Sequence, residues 1–121
     1  MILVAVDDLL FSSKIRTTAK QAGVALAFAR TPPEILEQAR VLRPDLLILD
    51  LNSAKADPIS TVATLKRDPE LASIRTLGFV SHVHTSIIDA AKAAGIDAVM
   101  ARSAFAGQLG DILLSAGQAR S

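Results

Sequence analysis

The chain has 121 residues, half of them hydrophobic, and its 13 basic and 12 acidic side chains leave a formal net charge of +1. This length suits one domain, which we expect to span residues 1–121 and to bury a core without disulfides or structural metals. The balanced charge disfavours direct nucleic-acid binding, and the absence of cysteine excludes a disulfide framework, a thiolate metal site and a cysteine nucleophile.

The apolar start of the chain, MILVAV, is too short for the core of a signal peptide and runs directly into Asp7 and Asp8. No other apolar segment approaches the length of a membrane span. We therefore expect a soluble, cytoplasmic protein that does not bind membranes.

Five short apolar runs at fairly even spacing predict five β-strands. The clearest of them are apolar at consecutive positions, which is typical of strands covered on both faces of a parallel sheet. The runs are Ile2 to Val6, Val24 to Phe28, Leu46 to Leu49, Leu77 to Val80 and Ala98 to Ala101.

Helical signals lie between these runs. The segment Leu10 to Ala22 places apolar residues on one face and is followed by Gly23, a common helix stop. In TPPE, Thr31 and Glu34 have the spacing of a capping box. Further helices are predicted from an Asp57 cap before Pro58 towards Arg67, from about Thr85 to Ala94, and from about Phe105 to Ala116.

The repeated alternation of strand and helix predicts an α/β fold with a doubly wound, five-stranded parallel sheet, because each parallel crossover needs a covering helix. We expect the flavodoxin-like strand order 2-1-3-4-5, in which the first and third strands are neighbours. Asp7 and Asp8 would then meet Asp50 at the carboxyl edge of the sheet, where sites of such folds form. Three acids in one place repel each other, so their pKa values rise or a hard cation such as Mg²⁺ joins them.

These residues resemble the receiver domains of two-component response regulators, of the chemotaxis-regulator type, over nearly the whole chain. The likeness lies in Asp7 and Asp8 after the first strand, in RPDLLILDLN, in DPELASI and in AAKAAGIDAV. It implies that Asp50 accepts a phosphoryl group from a sensor histidine kinase or a phosphotransfer protein. It also implies that Asp7, Asp8, Asp50 and the backbone carbonyl of Asn52 bind Mg²⁺.

The residues that read the phosphoryl group in that family, a Ser/Thr and a Lys, differ here. Arg102 stands at the Lys position, and the family spacing places Val80 at the hydroxyl position with Ser81 one residue later. Val99 occupies the aromatic switch position, and Ala54 replaces the usual Pro. Arg keeps the charge and can bind phosphate bidentately, but Val cannot swing between two states as an aromatic ring does. The resemblance therefore implies a phosphoacceptor site with a divergent switch.

Each candidate also has a structural interpretation. Asp50 alone could cap a loop at the end of its strand, and Asp8 could cap the first helix. Arg102 could pair with the acid cluster instead of sensing phosphate. His82 and His84 form an i, i+2 pair, which is a weak metal pattern that we interpret as two solvated loop residues.

Three functions remain open at this point: a phosphorylatable receiver, a degenerate pseudo-receiver that binds partners without phosphorylation, and an aspartate-nucleophile phosphatase. The phosphatase would need a second acid two residues after Asp50, where the chain has Asn52. Flavin binding is disfavoured, because VDDLLF places acids where a cofactor phosphate would lie.

We expect no enzyme activity beyond self-phosphorylation and autodephosphorylation of Asp50. By resemblance, an effector protein or a second copy would bind the face formed by the fourth helix, fifth strand and fifth helix.

Overall fold

The structure, a computed structural model, describes residues 1–81 and 85–118. Its five strands are β1 Ile2–Ala5, β2 Leu26–Phe28, β3 Leu46–Asp50, β4 Arg75–Val80 and β5 Ala98–Ala101. They form one parallel sheet in the order β2-β1-β3-β4-β5. The predicted fold class and strand order are confirmed.

Six helices connect or follow these strands in the described part of the chain: α1 Leu9–Ala22, α2 Pro32–Leu42, α3 Pro58–Arg67, α4 Thr85–Ala94, α5 Arg102–Gly107 and α6 Leu109–Gln118. The prediction of one last helix was wrong. The chain forms two short helices there, because Gln108 leaves helical geometry and its N–H donates to the carbonyls of Ala104 and Phe105. None of the helices in residues 1–81 and 85–118 combines the length and the apolar character needed to cross a membrane.

The core lies on both faces of the sheet, as the consecutively apolar strands predict. On one face, buried residues of the sheet such as Leu3 and Leu47 pack with α2, α3 and α4. On the other face, Ile2 and Ile48 pack with α1, α5 and α6. Successive strand residues alternate between these two clusters, so the strands need no polar side.

The helix caps follow the predictions in part. Thr31 Oγ1 accepts the N–H of Glu34 at 3.4 Å and so caps α2 as expected. Glu34 Oε1 accepts the N–H of Arg30 at 3.3 Å, one residue before the cap, instead of the Thr31 N–H of a full capping box. Asp57 does precede Pro58 at the start of α3, but its side chain makes no capping hydrogen bond. The reason is its left-handed backbone, with φ at 39°, whereas a capping side chain requires the extended conformation.

Candidate functional site

The predicted site residues meet at the carboxyl edge of the sheet. Asp7 and Asp8 follow β1, Asp50 is the last residue of β3, and Ser81 and Arg102 directly follow β4 and β5. Since β1 pairs with β3, β3 with β4 and β4 with β5, all in parallel, these strand ends lie side by side. The strand order thus assembles residues that are far apart in sequence.

Asp50 is a buried carboxylate, with 8% of its surface exposed. Its Oδ1 accepts the N–H of Asn52 at 2.9 Å. Burial raises the pKa of Asp50 above its ordinary value of 3.8, against the lowering effects of the Asn52 N–H and the Arg102 charge, while Asp7 and Asp8 add to the increase. Ionisation of Asp50 is therefore more costly than that of a free aspartate, which is typical of functional carboxylates.

The substitution Asp50→Asn should increase the free energy of unfolding at neutral pH, by on the order of 1 kcal/mol. The amide keeps an oxygen for the Asn52 N–H and removes a buried charge. Because the folded state binds the Asp50 proton more tightly than the unfolded chain does, the contribution of Asp50 to stability falls as pH rises from about 3.8 through the raised pKa. The stability that Asp50→Asn gains over the wild type should consequently vanish below pH 3.8.

Urea unfolding followed by circular dichroism over a pH series, in a metal chelator, measures this effect. Asp8→Asn is the matched control, because the hydrogen bond from Arg102 lowers the pKa of Asp8. That carboxylate contributes stability above the unfolded-state pKa, and its loss should destabilise the protein at neutral pH. A stability of Asp50→Asn equal to or below that of the wild type at neutral pH would contradict the prediction.

Asp8 has two structural partners, and the predicted cap of the first helix accounts for one of them. Its Oδ1 accepts the N–H groups of Leu10 and Phe11, at 2.9 and 3.1 Å, and so caps α1. Its Oδ2 accepts a hydrogen bond from Arg102 Nη2 at 2.8 Å. The Arg102 guanidinium also lies over the Phe11 ring, 4.4 Å from its centroid. The structural interpretation of Arg102, an ion pair with the acid cluster, is therefore what this arrangement shows.

Ser81 connects Arg102 to the loop after β3. Arg102 Nη1 donates to Ser81 Oγ over a long 3.4 Å, and the Ser81 N–H donates to Asn52 Oδ1 at 2.7 Å. Val80 is buried in the core, with 3% of its surface exposed. Between the two candidates for the hydroxyl position, Ser81 is the one whose side chain reaches the site.

Two contacts of the site were not predicted. Ser53 is buried, donates its hydroxyl proton to Asp7 Oδ2, and accepts the N–H of Ala56 at 3.3 Å. The sequence did contain a signal for this contact, since a small hydroxyl residue in the loop that follows Asp50 can reach the neighbouring acids. The second contact joins Phe11, an apolar residue of α1, to Arg102, and it requires the α5 backbone to be in place.

Other candidates lie at the margin of the site. Val99 is half-buried in β5 and packs against the cluster formed with α2, α3 and α4. Ala54 is exposed in the loop before α3. His82 and His84 lie outside the described residues, so the interpretation of this pair stays a prediction.

The acids suit a hard cation by chemistry but not by their present arrangement. Carboxylates are the ligands that Mg²⁺ prefers. However, Asp8 Oδ2 is bonded to Arg102 and Asp7 Oδ2 to Ser53. In the portion of the chain that is described, no group of three or more His, Cys, Asp or Glu side chains is placed so that it could hold a metal ion. Positive charge at the site comes from Arg102 instead, and ligation by Asp7, Asp8, Asp50 and the Asn52 carbonyl stays a prediction.

Comparison with known protein families and with curated proteins finds no match in sequence. Solved structures do match. The response regulator from Hahella chejuensis superposes with a TM-score of 0.86 at 19% identity, over 99% of this chain and 96% of that one. The chain has the receiver fold.

Further structures with the receiver fold agree. The chemotaxis response regulator CheY4 of Vibrio cholerae gives a TM-score of 0.80 at 18% identity, over 95% of this chain and 96% of that one. The Mn²⁺-bound form of the response regulator Rcp1 gives 0.72 at 19% identity, over 94% of this chain and 88% of that one. At such identities the likeness establishes the receiver fold, so the chemistry must be argued from this chain's own residues.

Proposed function

We propose that this chain is a receiver-like signalling domain of a two-component phosphorelay and accepts a phosphoryl group on Asp50. The observation that carries the proposal is the position of Asp50 within the receiver fold. Asp50 ends the central strand β3 as a buried carboxylate, beside the acids that follow β1 and the guanidinium of Arg102. The alternative, a degenerate pseudo-receiver that binds partners without phosphorylation, is less favoured, because Asp50 keeps its place at the end of β3.

In the proposed reaction a carboxylate oxygen of Asp50 attacks the phosphorus of a phosphohistidine or of a small phosphodonor. The new oxygen–phosphorus bond forms as the bond from phosphorus to the donor breaks, and the donor leaves with the electron pair. Oδ1 is held by the Asn52 N–H, so we assign Oδ2 as the nucleophile. We propose that Arg102 and the Ser81 hydroxyl receive the phosphoryl oxygens once Arg102 has parted from Asp8, which is supported by the contact of Arg102 with Ser81.

We propose Mg²⁺ as the cofactor, in view of the Mn²⁺ in the Rcp1 structure and the oxygen-rich donor set. Bound beside Asp50, such an ion would offset negative charge on the phosphoryl oxygens. Its ligands would be Asp7, Asp8, Asp50 and the Asn52 carbonyl. Asp8 would first have to leave Arg102.

The proposed donors are a sensor histidine kinase or a phosphotransfer protein in the cytoplasm. Beyond self-phosphorylation and autodephosphorylation of Asp50 we propose no enzyme activity, so the output is a protein–protein contact. We propose that an effector, or a second copy of the chain, binds the surface of α4, β5 and α5. β5 supports this choice, since it is an edge strand whose four residues are all at least partly exposed.

The test is incubation with acetyl phosphate and Mg²⁺, followed by intact-mass measurement. We expect the wild type to gain one phosphoryl group and Asp50→Asn to gain none. Asp57→Asn is a matched control, because it removes an exposed acid from the same loop and Asn tolerates the left-handed backbone found there. It should be labelled as the wild type is. No labelling of the wild type under conditions that label an ordinary receiver, or equal labelling of Asp50→Asn, would refute the proposal.

A further inference from the structure

We propose that Arg102 is a built-in cation that competes with a divalent metal ion for Asp8, so that metal binds only after the Arg102–Asp8 pair opens. The inference deepens the proposed function, on which it rests, by naming what regulates metal binding at the same site. The oxygen donors of the site suit a hard cation, but among the described residues their arrangement does not hold one.

The competition concerns a single oxygen atom. Asp8 Oδ1 accepts the N–H groups of Leu10 and Phe11, and taking it away would leave the first turn of α1 uncapped. Oδ2 is the oxygen that a metal could use without disturbing the helix, and it is the one bonded to Arg102 Nη2 at 2.8 Å. A metal ion and the guanidinium therefore cannot both have the free oxygen of Asp8 as their close ligand.

Arg102 is held in this position from two further sides. Its guanidinium lies over the Phe11 ring, and the rings of Phe79 and Phe105 in turn pack on Phe11, with centroids 5.1 and 5.8 Å away. Arg102 is the first residue of α5, and Phe105 in the same helix is fully buried. A planar guanidinium can stack and form this ion pair at once, which an ammonium does less well. Arg102 is thus held by its ring contact and by its helix as well as by the ion pair, which is itself partly exposed.

The charges point the same way. Asp7, Asp8 and Asp50 carry three negative charges when ionised, and Arg102 neutralises one of them. A divalent ion that entered while Arg102 stayed in place would meet a like charge beside its ligands. Metal affinity in the wild type should therefore be lower than the same acids would support alone.

The experiment is titration with Mn²⁺ alone, with free Mn²⁺ measured by electron paramagnetic resonance. Arg102→Met removes the charge but keeps an unbranched side chain that can cover Phe11. We expect this variant to bind Mn²⁺ about fivefold more tightly than the wild type, which corresponds to losing one partly exposed ion pair. Arg102→Lys retains a charge and should stay closer to the wild type than to Arg102→Met.

Arg16→Met is the matched control. Arg16 lies over the Phe28 ring at 4.6 Å, much as Arg102 lies over Phe11, but it forms no ion pair among the described residues. The Arg16→Met substitution removes one positive charge, as Arg102→Met does, and should leave Mn²⁺ affinity within about twofold of the wild type. Thermal unfolding of each variant verifies its fold, and Arg102→Gln takes the place of Arg102→Met if that variant fails to fold.

Equal or weaker Mn²⁺ binding by Arg102→Met, or no Mn²⁺ binding by either protein, overturns the inference. An equal gain in Arg16→Met overturns it too, because the effect would then come from net charge. Phosphoryl labelling keeps the two proposals apart. If Asp50 is labelled and Arg102→Met gains no affinity, the competition fails and the function stands. If Asp50 is not labelled but affinity rises as expected, the function fails and the competition stands.

Discussion

Replacing Phe79 with alanine should lower the free energy of unfolding by about 3–5 kcal/mol. The Phe79 side chain is fully buried, stacks on the Phe105 ring at 4.9 Å between centroids, and meets Phe11 edge-on at 5.1 Å. Its removal leaves a cavity between the sheet and the helices α1 and α5, and both neighbouring rings lose contacts. Urea unfolding followed by circular dichroism measures the loss.

Phe79→Leu is the milder partner of this substitution and should cost about 1–2 kcal/mol, since most of the volume stays filled. Because Phe11 supports the Arg102 guanidinium, the alanine variant should also loosen the Arg102–Asp8 pair. A loss below about 1 kcal/mol in Phe79→Ala would mean that the surrounding helices collapse into the space. The aromatic cluster would then not be the support described here.

Adding one methyl group at Gly78 should cost about 1–3 kcal/mol through overpacking. A Cβ there would lie 2.7 Å from Leu51 Cγ and 2.8 Å from Ile96 Cδ1, and both neighbours are buried. Leu51 directly follows Asp50, so we expect Gly78→Ala to disturb the site as well as the core. The stability loss is measured by urea unfolding, and the effect on the site by phosphoryl labelling.

A double substitution identifies the cause. Leu51→Ala makes room for the added methyl group, so the pair Gly78→Ala and Leu51→Ala should be more stable than the sum of the two single losses implies. Gly107→Ala is the control, because nothing lies within 4 Å of a Cβ at that helical position. It should be neutral or stabilising by up to about 1 kcal/mol. Strict additivity in the double variant would argue that Leu51 is not the obstacle.

Much of the fold could be read from local patterns in the chain. Consecutive apolar residues such as those from Leu46 to Leu49 are explained by burial on two faces, and the caps at Asp8, Thr31 and Gly23 depend on neighbours within a few residues. The strand order then brings Asp7, Asp8 and Asp50 to one edge. These features were predictable because each follows from short-range chemistry plus the rule for parallel sheets.

The contacts that decide the chemistry of the site were harder to foresee. The Arg102–Asp8 pair joins residues 94 positions apart, and the Ser53–Asp7 hydrogen bond joins residues 46 apart. The geometry of both contacts depends on the tertiary positions of two loops and of the first turn of α5. The left-handed backbone of Asp57 and the interruption at Gln108 are likewise results of tertiary packing, which overrides the local preferences that predicted a cap and a continuous helix.

The interruption at Gln108 separates α5 from α6, so a displacement of Arg102 is not passed to α6 along a helical backbone. α5 is only six residues long, and its Phe105 lies in the same core cluster as Leu109 and Leu113 of α6. We expect a small rotation of α5 to reach α6 only through the packing of Phe105 with these two residues, since no continuous helical backbone transmits it. We expect the conformational change caused by a phosphoryl group on Asp50 to be largely confined to α5, the short helix that starts at Arg102. A partner protein that recognises the phosphorylated state would then have to contact α5 directly.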